Sequence, residues 1–390
     1  MPLALYLLAV AVFAMGTSEF MLAGLLPDIA ADLGVTVATA GLLTSAFAVG
    51  MVVGAPLTAG LARRWPRRPA LLGLLGLFLA AHVVGALTGD FTVLLATRTI
   101  AALANAGFLA VALTTAADLV PSGRKGRALA VLLGGTTVAT IAGVPGGALL
   151  GTLFGWRAAF WAVALLCLPA ALGIARGVPA GNGRQDAAPG LRRELAELRR
   201  PRLALALLLG ALVDAATFGT FTFLDPLVTG AAAPAPLWVP VVLVLFGLGS
   251  FAGVTVAGRL SDRRPAVVVL AGGPLLLGGW VALGLTAPHP VAVLVLAFTQ
   301  GALSFGVGST LVARVLYEAA GAPTMAGAYA TAALNVGAAA GPVIAGATLT
   351  TSLGERGPVW AGSVLVAVVL LLALPFRRAL GYGGRTAPHP

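Results

Sequence analysis

The chain has 390 residues, of which 59% are hydrophobic and 9% are charged, and its formal net charge is +11. A soluble domain carries roughly 25% charged residues, so this composition, with a mean hydropathy of +1.00, excludes a water-soluble protein and indicates an integral membrane protein. The basic residues lie in short loops between apolar runs, which argues against a nucleic-acid partner and for contacts with lipid headgroups.

Apolar runs long enough to cross a membrane follow one another along the whole chain. The sequence predicts an all-α protein with twelve transmembrane helices, at residues 3–26, 40–61, 70–88, 92–116, 128–151, 158–176, 203–229, 238–259, 267–286, 291–316, 326–350 and 359–376. Every second loop is rich in arginine, whereas the loops between them hold only Arg157 and Arg356. The positive-inside rule therefore predicts that both termini are cytoplasmic.

The first span contains a carboxylate, Glu19, within the stretch "GTSEFMLAGLLPDIAADL". Seven residues separate it from the outer end of the span, a depth of about 10 Å, and Arg98 in the fourth span lies at the same depth. A charge in the membrane centre costs roughly 2.5 to 3.5 kcal/mol. Two interpretations stay open: an ion pair that only holds two helices together, or a Glu19 that exchanges Arg98 for a proton or a drug. Asn105 extends the polar face of the fourth span.

The fifth span carries the stretch "GVPGGALLG", with Gly143, Pro145 and Gly147 close together. Small residues allow another helix to approach closely, and a proline removes a backbone hydrogen bond and bends the helix. We expect a hinge at the interface between two halves of the protein, with ordinary small-residue packing as the alternative.

The chain divides at its one long polar stretch, residues 177–202, which predicts a cytoplasmic linker. Residues 1–176 then form an N-terminal six-helix bundle, residues 203–376 a C-terminal one, and residues 377–390 a cytoplasmic tail. Sequence similarities recur at an offset of 199 residues, including Arg157 with Arg356 and Trp161 with Trp360. They indicate two parallel six-helix pseudo-repeats with a binding site between them, near the membrane midplane.

The seventh span combines acidic and aromatic side chains. If it is one helix, Asp214 and Asp225 share a face, and the neighbouring residues Phe218, Phe221 and Thr222 suit an amphipathic aromatic ligand. The alternative is an aromatic packing stripe. Gln300, Ser304 and Asn335 in later spans either line the same cavity or hydrogen-bond to neighbouring backbone.

The remaining composition argues against an enzyme. The chain has one cysteine, Cys167, and three histidines, without a metal-binding or catalytic grouping, and it lacks a phosphate-binding GxxxxGK[ST] loop. We expect a transporter that needs no metal or other cofactor, is driven by the proton gradient and functions as a monomer.

Three stretches resemble a known family: "GTSEFMLAGLLPDIAADL", "LLATRTIAALANAGF" and "AGVPGGALLGTLFGWRAAF" in spans one, four and five, together with the loop "GRLSDRR". They are similar to motifs of the major facilitator superfamily, in its twelve-span drug:proton antiporters and most closely the chloramphenicol-efflux members. The resemblance implies the major facilitator fold and proton-coupled efflux of a small amphipathic antibiotic, chloramphenicol first, across the bacterial inner membrane. It also implies a gating role for Asp262 and Arg263, although Arg63 replaces the usual aspartate of the matching loop in the first half. The alternative substrate class is sugars or other small metabolites.

Overall fold

Helices account for nearly all of the structure, because each apolar run satisfies its backbone hydrogen bonds internally. The structure is a computed structural model that describes residues 2–61, 66–121, 125–179, 196–232, 238–261, 265–319, 321–322 and 325–373. Within these ranges the α-helices are α1 Leu3–Phe20, α2 Leu26–Leu33, α3 Val37–Leu61, α4 Arg67–Leu87, α5 Phe91–Asp118, α6 Lys125–Val138, α7 Val144–Phe154, α8 Trp156–Gly177, α9 Pro201–Thr222, α10 Leu224–Ala232, α11 Trp238–Ser261, α12 Pro265–Thr286, α13 Pro290–Glu318, α14 Ala326–Thr348 and α15 Gly357–Ala373.

Eleven helical segments of the described chain are long and apolar enough to span a membrane. The remaining predicted span, residues 267–286, corresponds to α12, whose apolar part is Ala271–Thr286. The all-α prediction is confirmed.

We call the side that carries both ends of the bundle the terminal face, and the side that carries α2 and α10 the opposite face.

Two predicted spans are broken helices rather than single ones. The first is α1 followed by a 3-10 turn, Met21–Gly24, and α2. The seventh, expected as one helix over residues 203–229, ends at Thr222 and restarts as α10, so Asp214 and Asp225 do not share one continuous helical face. Pro27 and Pro226 lie in the first turns of the new helices, where a missing N–H costs nothing, whereas inside a continuous helix each would remove a backbone hydrogen bond.

The two halves pack in the same way, as the repeat predicts. A Cβ on Gly50 of α3 would overlap the carbonyl oxygen of Thr99 in α5, and one on Gly249 of α11 would overlap that of Phe298 in α13. Each pair lies 199 residues from its counterpart. The duplication is therefore visible in helix packing as well as in sequence.

The corner before the last helix of each half gives a second match. Gly155 and Gly354, again 199 residues apart, have φ angles of 81° and 52°. Only glycine adopts such positive angles without strain, so both corners depend on glycine for the same reason.

The halves meet through two pairs of helices. α3 packs against α14, and α7 together with the π-helical turn Ala139–Gly143 packs against α11. The 3-10 turn after α1 also contacts α9. The ends of α1 and α9 therefore face each other across the interface, and the candidate site is built there.

Candidate functional site

Glu19 lies in the last turn of α1, partly buried at the interface between the halves. It interacts electrostatically with Arg98 of α5 and with Asp214 of α9. Asp214 is also partly buried. The structure thus brings together three of the four charged residues that the sequence singled out in the apolar spans. The fourth, Asp225, lies in α10.

Arg98 is oriented by neutral groups, not by Glu19. Its guanidinium is 1% exposed and stacks on the ring of Phe47, with 4.5 Å between Cζ and the ring centroid. Nη1 donates to Ser18 Oγ at 2.8 Å and Nη2 donates to the Ser18 carbonyl at 2.7 Å. None of the ion pairs within the described ranges joins Arg98 to Glu19. The expected ion pair is therefore not formed in this conformation, because Ser18 takes both terminal nitrogens.

Ser18 can receive Arg98 because it lies at a helix end. The last four carbonyls of an α-helix have no partner within the helix, and α1 ends at Phe20. The buried carbonyl of Ser18 is thus free to accept from the guanidinium, which needs acceptors where water is excluded.

A string of aromatic rings runs from the carboxylates into the second half. Phe20 contacts Phe218 with 5.7 Å between ring centroids, and Phe221 lies 6.4 Å from Phe218. Phe246 of α11 and Phe305 of α13 continue the string. The sequence identified Phe218 and Phe221, whereas Phe20, Phe246 and Phe305 were missed because phenylalanine in an apolar span gives no signal of its own. Aromatic faces beside carboxylates suit an amphipathic ligand.

The amide nitrogens of the other predicted cavity residues find acceptors within their own halves, whereas the buried Gln300 Oε1 has no hydrogen-bond partner. Asn105 Nδ2 lies 3.6 Å from Met51 Sδ, and Asn335 Nδ2 donates to the Thr331 carbonyl at 2.9 Å. Gln300 is fully buried and donates to the Leu276 carbonyl at 3.0 Å, so it joins α13 to α12.

Two serine and threonine hydroxyls of the predicted cavity region differ from these amides. Thr222 and Ser304 are buried with no hydrogen-bond partner for their oxygens. Thr222 lies next to Phe221 at the end of α9, close to the aromatic string.

A cavity of about 220 Å³ lies between the halves, on the terminal-face side of the interface. Thr136 of α6, Ser250 and Thr255 of α11, and Phe305 of α13 are among its lining residues. Sequence reasoning missed this set, because short hydroxyl side chains are common in membrane helices. The cavity shares Phe305 with the aromatic string.

At the opposite face the two halves close on Phe223. This ring is fully buried at the break between α9 and α10. A Cβ on Gly41 of α3 would lie 2.5 Å from its Cζ, and one on Gly346 of α14 would lie 3.3 Å from the same atom. The ring is seated in a notch made by one glycine from each half.

The glycines of the fifth span bring two helices of the first half together. A Cβ on Gly143 would overlap the side chain of Thr17, and one on Gly147 would lie 3.2 Å from Met21 Cβ. A π-helical turn ends at Gly143, two residues before Pro145. Such turns occur where the helical hydrogen-bond ladder is interrupted, and here the interruption lies beside α1. Asp262 and Arg263 fall outside the described residues.

Charged groups on the opposite face lie outside the spans. Arg157 Nη1 forms an ion pair with Asp32 at 2.5 Å, and its hydrogen bond holds the pKa of the Asp32 carboxyl below its ordinary value. Burial and the nearby carboxylate of Asp28 raise the pKa of Asp225 from 3.8 to about 7. Asp225 belongs to the second half and Asp28 to the first, so this repulsion acts across the interface.

Comparison with known proteins identifies the architecture. The family model described as Major Facilitator Superfamily matches residues 8–333. A chloramphenicol resistance protein of Streptomyces lividans is 69% identical over 382 residues, which cover 97% of each chain. The inner membrane transport protein YdhP of Escherichia coli is 33% identical over 365 residues, covering 94% of this chain and 93% of that one.

Two solved structures share the fold. A bacterial homologue of the human lysosomal transporter Spinster, in an inward-facing and unoccupied conformation, has a TM-score of 0.77 and 19% identity, and the match covers 99% of this chain and 98% of that one. The nucleoside transporter NupG has a TM-score of 0.75 and 14% identity, with 96% and 98% covered.

Proposed function

This chain belongs to the Major Facilitator Superfamily, and from that premise we propose that it exports a small amphipathic antibiotic, chloramphenicol, in exchange for protons. The substrate rests on the chloramphenicol resistance protein that is 69% identical to it. The mechanism rests on the site at the interface.

One observation carries the proton-coupled mechanism: Glu19 and Asp214 interact with each other across an apolar interface, and neither forms an ion pair with an arginine among the described residues. Burial of two nearby carboxylates favours a shared proton over two charges. We propose that a proton and the drug compete for this pair. Binding of one then displaces the other.

The proton gradient supplies enough free energy for this exchange. One charge that moves through 100 mV releases roughly 2.3 kcal/mol, which supports about a fifty-fold gradient of a neutral substrate. No ATP or other cofactor is needed.

We propose that the terminal face is cytoplasmic, in agreement with the arginine-rich loops on that side. The conformation then has its outer side closed at Phe223 and its cavity on the cytoplasmic side, the state in which drug would be loaded from inside the cell. Each chain contains both halves of the interface, so we propose that a monomer is the functional unit.

Accumulation of radiolabelled chloramphenicol in a drug-sensitive host tests the proposal. Cells that express the protein should hold less unmodified drug than control cells, and a protonophore should abolish the difference. Equal accumulation with and without the protein contradicts chloramphenicol as substrate, in which case the same assay with sugars and other antibiotics identifies the substrate class. A difference that survives the protonophore contradicts proton coupling.

A further inference from the structure

A buried histidine lies directly behind the arginine of the candidate site. His82 of α4 is 2% exposed, with its ring 4.2 Å from that of Phe78 and 5.7 Å from that of Phe160, measured between centroids. Its Nε2 lies 2.7 Å from Ser18 Oγ. The same Ser18 oxygen accepts from Arg98.

The hydrogen bonds determine which nitrogen of His82 carries the hydrogen. Nδ1 lies 2.8 Å from the Phe78 carbonyl, which can only accept, so Nδ1 donates. In a neutral ring Nε2 is then the acceptor. The hydroxyl of Ser18, which already accepts from Arg98, donates its own hydrogen to Nε2. The hydrogen bonds from Arg98 Nη1 through Ser18 Oγ and His82 to the Phe78 carbonyl therefore all run in one direction.

A protonated His82 would break this chain. Nε2 and Arg98 would both donate to Ser18 Oγ, the serine hydrogen would lose its acceptor, and a second cation would lie beside the buried guanidinium. Each of these changes is costly in an apolar environment. The arrangement therefore requires an acceptor, not a charge, at Nε2.

The second half shows that the helix packing does not require these hydrogen bonds between Arg98, Ser18, His82 and Phe78. Gly135 lies against the backbone of Ala9, and Gly337 lies against that of Ala211, which relates α1 to α9 by 202 residues. The offset of 202 residues makes Thr220 the counterpart of Ser18. For the other two helices the offset is 199 residues, so Val281 corresponds to His82 and Ala297 to Arg98.

We propose that His82 is a positioning residue: through Ser18 it holds the guanidinium of Arg98 on the end of α1 and keeps it from pairing with Glu19. The inference rests on the proposed role of Glu19 as the exchanging carboxylate. Arg98 has a free donor, since its buried Nε lacks a hydrogen-bond partner, and it attracts Glu19 without contacting it. Loss of the acceptor at position 82 would release Ser18 and allow Arg98 to form the ion pair.

The charged groups around Glu19 determine which cation could form an ion pair with it. Arg98 faces it from α5 and Asp214 faces it from α9. The described segments of α3 and α7 that pack on α1 carry no titratable side chain. The helices α6 and α8 also pack on α1, and their charged residues lie at the helix ends: Lys125 and Arg127 in α6, Arg157 and Arg176 in α8. Cys167 of α8 hydrogen-bonds to the Val163 carbonyl. Arg98 is thus the cation that would capture Glu19.

Two substitutions at one position separate the positioning role from packing. The oxygen of Gln reaches the place of Nε2, whereas the amide of Asn occupies that of Nδ1, so His82→Gln keeps the acceptor and His82→Asn loses it. Purified protein is treated with a hydrophobic carbodiimide, which modifies protonated carboxyl groups in apolar surroundings, and labelling of Glu19 is measured by peptide mass spectrometry. His289→Asn, at an exposed position, is the matched control.

We expect wild-type labelling in His82→Gln and His289→Asn and a fall to about one tenth in His82→Asn, which corresponds to an ion pair worth about 1.4 kcal/mol. Equal labelling in His82→Asn and His82→Gln would overturn the proposal. If His82→Asn does not fold, Ser18→Ala and Ser18→Thr make the same comparison, with loss of labelling expected in the alanine variant alone. The readout needs no substrate, so a failure of the proposed drug specificity leaves it unaffected.

Discussion

At the scale of single side chains, the proposed proton coupling depends on Glu19. Glu19→Gln keeps the shape and hydrogen bonding of the side chain but cannot release a proton. We expect a folded protein whose steady-state drug gradient in cells falls by up to about fifty-fold, the contribution of one proton at 100 mV. Drug accumulation at matched membrane abundance measures it, with Glu355→Gln on the opposite face as control. A full gradient in Glu19→Gln would exclude this residue as the proton carrier.

Asp214 should respond in the same direction. It repels Glu19 across the interface, so Asp214→Asn removes one of the two acids that compete for a proton. We expect lower proton-dependent export in the same assay, with protein folding retained because the amide is nearly isosteric. Unchanged export would assign Asp214 to packing beside Phe218.

The sequence revealed these charged residues because a charge in an apolar span is expensive. It did not reveal Ser18 or His82, which are ordinary residues in such spans. Their hydrogen bonds join positions 64 and 80 residues apart, and no local pattern contains that information. The sequence placed Arg98 level with Glu19, and in the structure Arg98 bonds to the neighbouring residue, Ser18. A serine carbonyl at a helix end competes with a carboxylate only once the helices have packed.

At the scale of helices, hydrophobicity predicted where the spans lie but not where they break. Both breaks precede a proline in the first turn of the next helix, Pro27 and Pro226. That signal was present in the sequence. The π-helical turn before Pro145 is of the same kind. The breaks matter because Phe223, which closes the opposite face, lies at one of them.

Closure at Phe223 depends on the missing side chain of Gly41. A methyl group there would lie 2.5 Å from Phe223 Cζ, and overpacking of this kind costs roughly 1–3 kcal/mol. Gly41→Ala should therefore open the interface at the opposite face. Spin labels on Ala31→Cys in α2 and Thr229→Cys in α10, both exposed, should report a longer distance. Gly76→Ala, where nothing lies within 4 Å, should not change it. An unchanged label distance in Gly41→Ala would show that the Phe223 ring moves aside and the interface stays closed.

The same label pair tests the acidic contact between α2 and α10. In the closed arrangement the pKa of Asp225 is raised from 3.8 to about 7. Between these two pH values Asp225 is therefore protonated in the closed arrangement, whereas a solvated Asp225 is ionised. The closed arrangement therefore loses stabilisation as the pH rises from about 4 to 7, and the effect levels off above that range. We expect the label distance to lengthen over this range in the native sequence and to stay constant in Asp225→Asn. Glu355 and Arg356 lie in the 3-10 turn that also contacts α10. A pH response that persists in Asp225→Asn would exclude this carboxyl as its source.

At the scale of the whole molecule, the sequence predicted two six-helix pseudo-repeats, and its placement of the site at their interface stays a prediction. Equivalent residue pairs, such as Gly50 with Thr99 and Gly249 with Phe298, follow the predicted offset of 199 residues. The sequence could not predict how the two bundles differ from each other in their buried polar and aromatic side chains. The first half contains the buried chain of Ser18, His82 and Arg98, and the second supplies most of the aromatic string. A carboxylate from each half, Glu19 and Asp214, beside the aromatic string suits the amphipathic ligand that we propose.

The central claim, that drug and proton exchange on one site, is tested most directly with purified protein in detergent and a pH indicator. Addition of chloramphenicol should release protons from the wild-type protein in lightly buffered solution, and the release should be lost in Glu19→Gln and retained in Glu355→Gln. Drug binding without proton release in the wild-type protein, at any pH where both forms of the carboxyl pair are populated, would contradict it.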